Sequence, residues 1–382
     1  MAITIDTNPD TISAAYRPVI WKTTSNDSNI VRVIADVDID GTVRANIDKD
    51  PNIGTSDKFD FDVQSVVQDY LTYDLKSISG NSIVNAGNSE VEVKVDLYEV
   101  VDTTANLLST SWEEDGTGTP DITSSVIWGI NTTLQHLETQ NMNAFTVDDS
   151  TKKFMTNAPL IQTIGENETI QLHFVTNKAN VKFRIKQFNS AGTETSNVLS
   201  SSVAITDKHA ILLLDEISMA TLTTKFEVLL EDTSSNIISE TRTFNIDTQC
   251  YDNAVRLKWQ NPLGGLDSYT FVSKKQQDVK HREKTFDKLL DSDFSIEDRG
   301  ETVISIKAND EFSVFSKSEP RATILWLAEL DANKINVWID DGTNLIPVLI
   351  TNRKTKILDT ENEILQKEVK FKYSNPRESQ RN

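Results

Sequence analysis

Apolar and polar residues alternate along most of this chain. Ile30–Ile39 reads IVRVIADVDI, Val91–Tyr98 reads VEVKVDLY, and Phe183–Phe188 reads FRIKQF. Val303–Ile306, VISI, and Val369–Tyr373, VKFKY, repeat the pattern. A period of two places one row of side chains in a core and the other in water, as half-buried strands require. Asp40-Gly41, Ala191-Gly192 and Asp341-Gly342 fall at the ends of such runs. Each pair suits the positive φ of a tight reversal and predicts a hairpin. The expected fold class is mainly β: tandem antiparallel β-sandwich or barrel domains with two short helices.

The helices are read from two breaks in the alternation. Asp62–Leu71, DVQSVVQDYL, spaces Val63, Val66, Val67, Tyr70 and Leu71 at helical intervals behind Asp62 as N-cap. Val66 and Tyr70 are expected to face a core. In the second, Ser318 caps, Pro320 sits in the first turn, and Ile324, Leu325 and Ala328 form the apolar face.

At 382 residues the chain has room for several domains. The run DGTGTPDIT, Asp115–Thr123, has the composition of a linker. The expected organisation is an N-terminal β domain with one helix over 1–114, a connecting segment over 115–162, a sandwich over 163–248 and a C-terminal α+β domain over 249–382. The middle sandwich, immunoglobulin-like or fibronectin-like, would use Thr169–Thr176, Val181–Phe188, Lys225–Glu231 and Ser239–Ile246. The polar end SNPRESQRN is expected to fray.

Charge narrows the partners. The net charge of −20 repels phosphates, which argues against nucleic acid. No apolar run reaches the roughly 18 residues of a membrane span. The first residues lack the basic and apolar regions of a signal peptide. Cys250, the only cysteine, excludes an internal disulfide and suits folding in a reducing cytoplasm.

Candidate chemistry is sparse. Asp36, Asp38, Asp40 and Gly41 match the front half of a calcium loop, but Ile47 stands where a bidentate acid is needed, so a strand entering a hairpin is expected. His136, His173, His209 and His281 are isolated along the chain and show no zinc spacing. There is no G-x-S-x-G elbow, and Leu263–Leu266 is no phosphate loop. Glu113-Glu114 and Asp148-Asp149 lie in polar loops, and no pair is singled out for glycosidase work. The reading is therefore no enzyme: no catalytic residue, no metal and no cofactor. Six tryptophans, at 21, 112, 128, 259, 326 and 338, are either core or anchors at subunit interfaces. The loop after Val255–Trp259, with Pro262, Gly264 and Gly265, is either a hairpin end or a rigid contact tip. Trp259, Asn261, Gly264, Gly265 and Trp338 are the candidate assembly contacts.

Two stretches carry a resemblance. The first runs from Tyr16 to Leu71, with a YRP opening, the segment Pro51–Thr55 and the DVQSVVQDYL helix. The second is VRLKWQNPLGGLDSYTF, Val255–Phe271, followed by SIEDRGETVISIKANDEF, Ser295–Phe312, then Ala322–Leu330 and Val337-Trp338. Both resemble virion structural proteins of tailed phages that infect Bacteroidetes, over about half the chain. The resemblance implies a tail, baseplate or neck component located in the virion. Such a component would act by homo-oligomeric assembly into a ring or sleeve and contact other virion proteins. The alternative is a host-surface or glycan-binding module of the virion, with Phe188 and Phe226 as aromatic platforms if they reach the surface.

Overall fold

The computed structural model describes residues 3–55, 57–76, 80–102, 108–110, 119–130, 132, 142–166, 168–215, 222–287, 301–332, 336–352, 354, 357 and 364–375. Trp112, Glu113-Glu114, residues 115–118 of the linker-like run, His136, residues 295–300 and the end from 376 lie outside the described residues. The chain is mainly β, with antiparallel sheets and two short helices as its main elements. It forms two compact units, each assembled from separate stretches. The first takes Met1–Thr156, Gln171–Arg242 and Pro262–Gly265, and the second takes Asn157–Ile170, Thr243–Asn261 and Leu266–Asn382. This division does not follow the four consecutive segments 1–114, 115–162, 163–248 and 249–382. Turn residues mark local reversals, whereas the units are set by pairing between strands far apart in the chain.

The first unit opens with a sandwich. One layer pairs Ile3–Thr7, Ile20–Ser25 and Lys58–Asp62; the other runs Ile12–Ala14, Ile127–Ile130, Glu90–Asp102, Ile30–Ile39 and Thr42–Lys49 in that order. Trp21, Phe59 and Phe61 share a core with Val33, Ala35, Val37, Val93, Val95 and Leu97. These are alternate positions of their strands, so the period of two is the period of the core. One pairing departs from the antiparallel rule: Ile127–Ile130 runs parallel to Ile12–Ala14. Asp40 and Gly41 both have positive φ, 51° and 76°, the geometry of a two-residue hairpin turn. The segment is thus the expected hairpin, with Asp36 buried beside Asn46.

Helix α1 spans Gln64–Asp69, with Val63 at the N-cap. Asp62, one residue earlier, still serves the first turn. Its Oδ1 accepts the N–H of Gln64 at 3.0 Å and that of Val19 at 3.1 Å. Val63 and Val67 are buried, but Val66 is only partly buried. Tyr70 is exposed, with the Arg44 guanidinium 5.0 Å from its ring centre, because α1 ends before Tyr70 can turn onto the core face. A Cβ at Gly129 would lie 2.7 Å from Val67 Cγ1 and 3.4 Å from Val91 Cγ2. Gly129→Ala is therefore expected to cost about 1–3 kcal/mol by overpacking. A denaturation midpoint equal to the parent's would show that α1 can slide away.

The rest of the first unit is also layered. Asn180–Phe188 pairs with Lys225–Glu231 on one side and Glu194–Leu199 on the other, the latter through the Gly192 turn. Phe183 and Ile185 lie buried across from Leu230 and Val228, with Phe226 fully buried. Among the described residues, 163–248 contain strands and no helix. The expected sandwich is not self-contained, however. His209–Asp215 takes Ser82–Asn85 as an antiparallel partner.

The second unit carries a seven-stranded sheet in the order Leu266–Phe271, Val255–Gln260, Val337–Asp340, Leu345–Ile350, Ile364–Tyr373, Glu301–Pro320, Lys274–Asp287. Ile161–Gly165 adds a parallel pair with Thr243–Asp247. Helix α2, Arg321–Leu327, starts directly from the strand ending at Pro320, which is its N-cap; Ser318 lies within that strand and does not cap. Ile324, Trp326 and Leu327 are buried while Leu325 is exposed, which corrects the expected apolar face.

Candidate assembly surface

All five candidate assembly contacts are inside the chain. Trp259 is fully buried in the second unit's core, its ring centre 5.3 Å from that of Trp326. Trp338 and Asn261 are also buried. Gly264, at φ 90°, and Gly265 are buried with their loop. That loop belongs to the first unit: Leu263 packs with Ile130, Met142 and Phe145, and the Pro262 carbonyl accepts from Thr132 Oγ1 at 2.8 Å. It is a hairpin end, and these residues offer a neighbouring copy no surface. Of the proposed aromatic platforms, Phe226 is core and Phe188 lies under the Lys225 ammonium, 4.1 Å from its ring centre.

What the second unit does present is a two-stranded ribbon. Lys274–Asp287 pairs antiparallel with Glu301–Pro320 along its whole length. The inner strand meets Ile364–Tyr373 only from Glu311 onward. Val279–Asp287 and Glu301–Asp310 therefore continue beyond the sheet as a ribbon of about 30 Å at 3.3 Å per residue. The outer strand is last in the sheet order, and every residue of it whose burial is described is exposed. Its charge balance is opposite in sign to that of the chain as a whole. Its sequence holds five basic residues, Lys274, Lys275, Lys280, Arg282 and Lys284, and three acids, Asp278, Glu283 and Asp287, a net of +2 within a chain of −20. Val279, Phe286 and Ile304 add exposed apolar surface. An edge of this length with open backbone groups is a template for pairing with another chain.

The same unit contains a polar groove of about 350 Å³, lined among others by Glu166, Glu168, Asp247, Lys317 and Glu319. It runs on past Tyr269 toward Ile161, Pro320 and Trp326. Lys317 pairs with Asp247, which also accepts from Tyr251 Oη at 3.0 Å. Burial works to raise the Asp247 carboxyl, but the hydrogen bond from Lys317 and those from Gln249 and Tyr251 bring it below its usual value. Glu168 pairs with Arg256 and accepts from Thr270. Tyr269 donates to Glu319 Oε1 at 2.7 Å; burial and that negative charge hold its proton on. Among the described residues Glu166 and Glu319 have no cationic partner.

A buried polar cluster in the first unit was missed because its members are remote in sequence. His173 Nδ1 lies 3.0 Å from His209 Nε2, and both rings are buried. Glu90 accepts the backbone N–H groups of Lys208 and His209, while Asp74 accepts from Asn88 and Ser89. Their separation along the chain leaves no spacing signal; only the approach of their strands reveals the pair. Among the described residues no group of three or more His, Cys, Asp or Glu is placed to hold a metal ion.

No family model matches the chain, and no curated protein matches it. Among solved structures it is similar to the fibronectin(III)-like modules of Clostridium thermocellum CbhA. That match has 10% identity over 65% of this chain and 94% of that one, with a TM-score of 0.16.

Proposed function

We propose that this chain is a structural component of a tailed-phage virion, a tail, baseplate or neck protein that acts by homo-oligomeric assembly and not by turnover. The virion placement rests on the resemblance of Tyr16–Leu71 and Val255–Phe271 to such proteins. The observation that carries assembly is the projecting outer strand, exposed and open along one edge. Its lysines oppose pairing with just any chain, so the edge suits a partner that supplies the opposite charge, as an assembling protein can.

The test trims the ribbon without touching the core. Asp278 and Glu311 are direct partners, so residues 279–310 can be replaced by an Asn-Gly turn. None of the removed residues belongs to the second unit's core cluster. The trimmed chain is expected to melt as the parent does, to sediment as a monomer where the parent self-associates, and to be missing from purified particles by mass spectrometry. Incorporation at the parent's level would end this reading of the ribbon.

A further inference from the structure

We infer that the groove of the second unit is the receptor for the basic outer ribbon strand, Lys274–Asp287, of a second copy. The inference rests on the assembly reading above and names the contact that would make it.

The argument is one of complementarity. Four carboxylates line the groove, Glu166, Glu168, Asp247 and Glu319, against one ammonium, Lys317. Two of them, Glu168 and Asp247, are already paired with Arg256 and Lys317. Glu166 and Glu319 hold the remaining charge, and the groove's volume of about 350 Å³ has room for a long side chain. A groove walled by one sign of charge attracts the opposite sign. In a chain of −20, the outer ribbon strand has a positive balance. Lys280 and Lys284 are exposed and fall on the same face of the pleat, since they are four residues apart. Lys280 reaches the half-buried Glu311 at 2.6 Å, but its own ammonium end is exposed, so water weakens the pair and a partner carboxylate can replace Glu311.

The apolar parts match as well. The groove leads to Ile161, which is 64% exposed, with Leu160 beside it. The ribbon offers Phe286, on the same face of the pleat as Lys280 and Lys284. None of the outer-strand residues lines its own chain's groove. Two different patches thus meet, which makes the contact heterologous: repeated, it closes into a ring or runs on as a filament.

A charge swap tests the pairing. One variant carries Lys280→Glu and Lys284→Glu; the other carries Glu166→Lys, at an exposed position. Each, alone, is expected to melt like the parent and to self-associate about tenfold or more weakly by sedimentation at low salt, as rim charges of opposite sign would dictate. Mixed in equal amounts, the two should recover association. In the mixture one junction joins a native ribbon to a native groove, and the next joins a reversed ribbon to a reversed groove. If the parent associates and both variants do too, the groove is not the receptor, though assembly through another surface stands. If each variant is weakened but the mixture stays dissociated, both patches matter without facing each other, and the inference is equally overturned. A parent that remains monomeric removes the assembly reading itself.

Discussion

Trp259→Ala is expected to unfold the second unit, not merely to stop association. The side chain is fully buried beside Trp326, among Leu257, Leu327, Val337 and Phe371. Truncating a buried tryptophan removes its transfer energy and leaves a cavity, at a cost of about 3–5 kcal/mol. That is a large share of a domain's usual margin. Trp259→Phe should be far milder. It keeps most of the ring, and it removes an indole N–H that is buried without an acceptor among the described residues. Amide exchange across Val255–Gln260 reads the effect directly. Parent-like protection in the alanine variant, together with lost association, would return Trp259 to the role of an assembly contact.

Acid is expected to open the first unit through its buried histidine pair. Burial is the main cause that keeps both rings neutral. It lowers His209 to about 4, against some opposition from Asp74, and His173 well below the usual value, with His209 adding to the effect. A histidine whose folded pKa is depressed stabilises the fold above its unfolded value, and the stability is lost as pH falls through about 6.5 toward the folded value. For His209 the difference amounts to roughly 3 kcal/mol. Glu90 works in the opposite sense. Burial raises it to about 7, against the backbone N–H groups of Lys208 and His209, with Asp207 adding repulsion. A carboxyl raised in this way stabilises the fold below its unfolded value and loses that contribution as pH rises through about 7. Between about pH 4.5 and 6.5 two histidines therefore oppose one carboxyl, and net stability should rise with pH. Asp74 adds stability above its own range. Burial would raise it, but Lys76, Ser89 and Asn88 hold it below its usual value. Replacing both histidines by leucine removes both members of their hydrogen bond together, at little cost in the neutral range. The double variant should lose the acid transition, followed by amide exchange in His209–Asp215 from pH 4 to 8. A parent profile flat below pH 6.5, or a double variant that keeps the parent's slope, would sink the assignment.

These two residue sets show where sequence reading stops. Val255–Gln260 is legible as a strand, but its six positions are all buried, so alternation does not mark which side faces a neighbour. Core and interface demand the same residue types, and Trp259 satisfied both descriptions until its surroundings were known. The histidines failed for the opposite reason. Each is solitary along the chain, while their strands approach in space. The ribbon was legible only in its inner strand, at Val303–Ile306; its outer strand, KKQQDVKHREKTFD, is too polar to alternate clearly.

Local preference was enough for much of the chain. The strands at Ile30–Ile39 and Lys225–Glu231, the Asp40-Gly41 reversal and the helix after Asp62 follow from side-chain alternation, positive φ at turns and a carboxylate near a helix start. These effects act between residues a few positions apart, so the sequence carries them openly. Only the tertiary structure decided that Ser82–Asn85 joins His209–Asp215, that the Gly264 loop packs into the first unit, and that Glu166 and Glu319 share a groove. Those outcomes depend on which distant strands pair. That choice is made by the summed burial of whole faces, and no single segment records it.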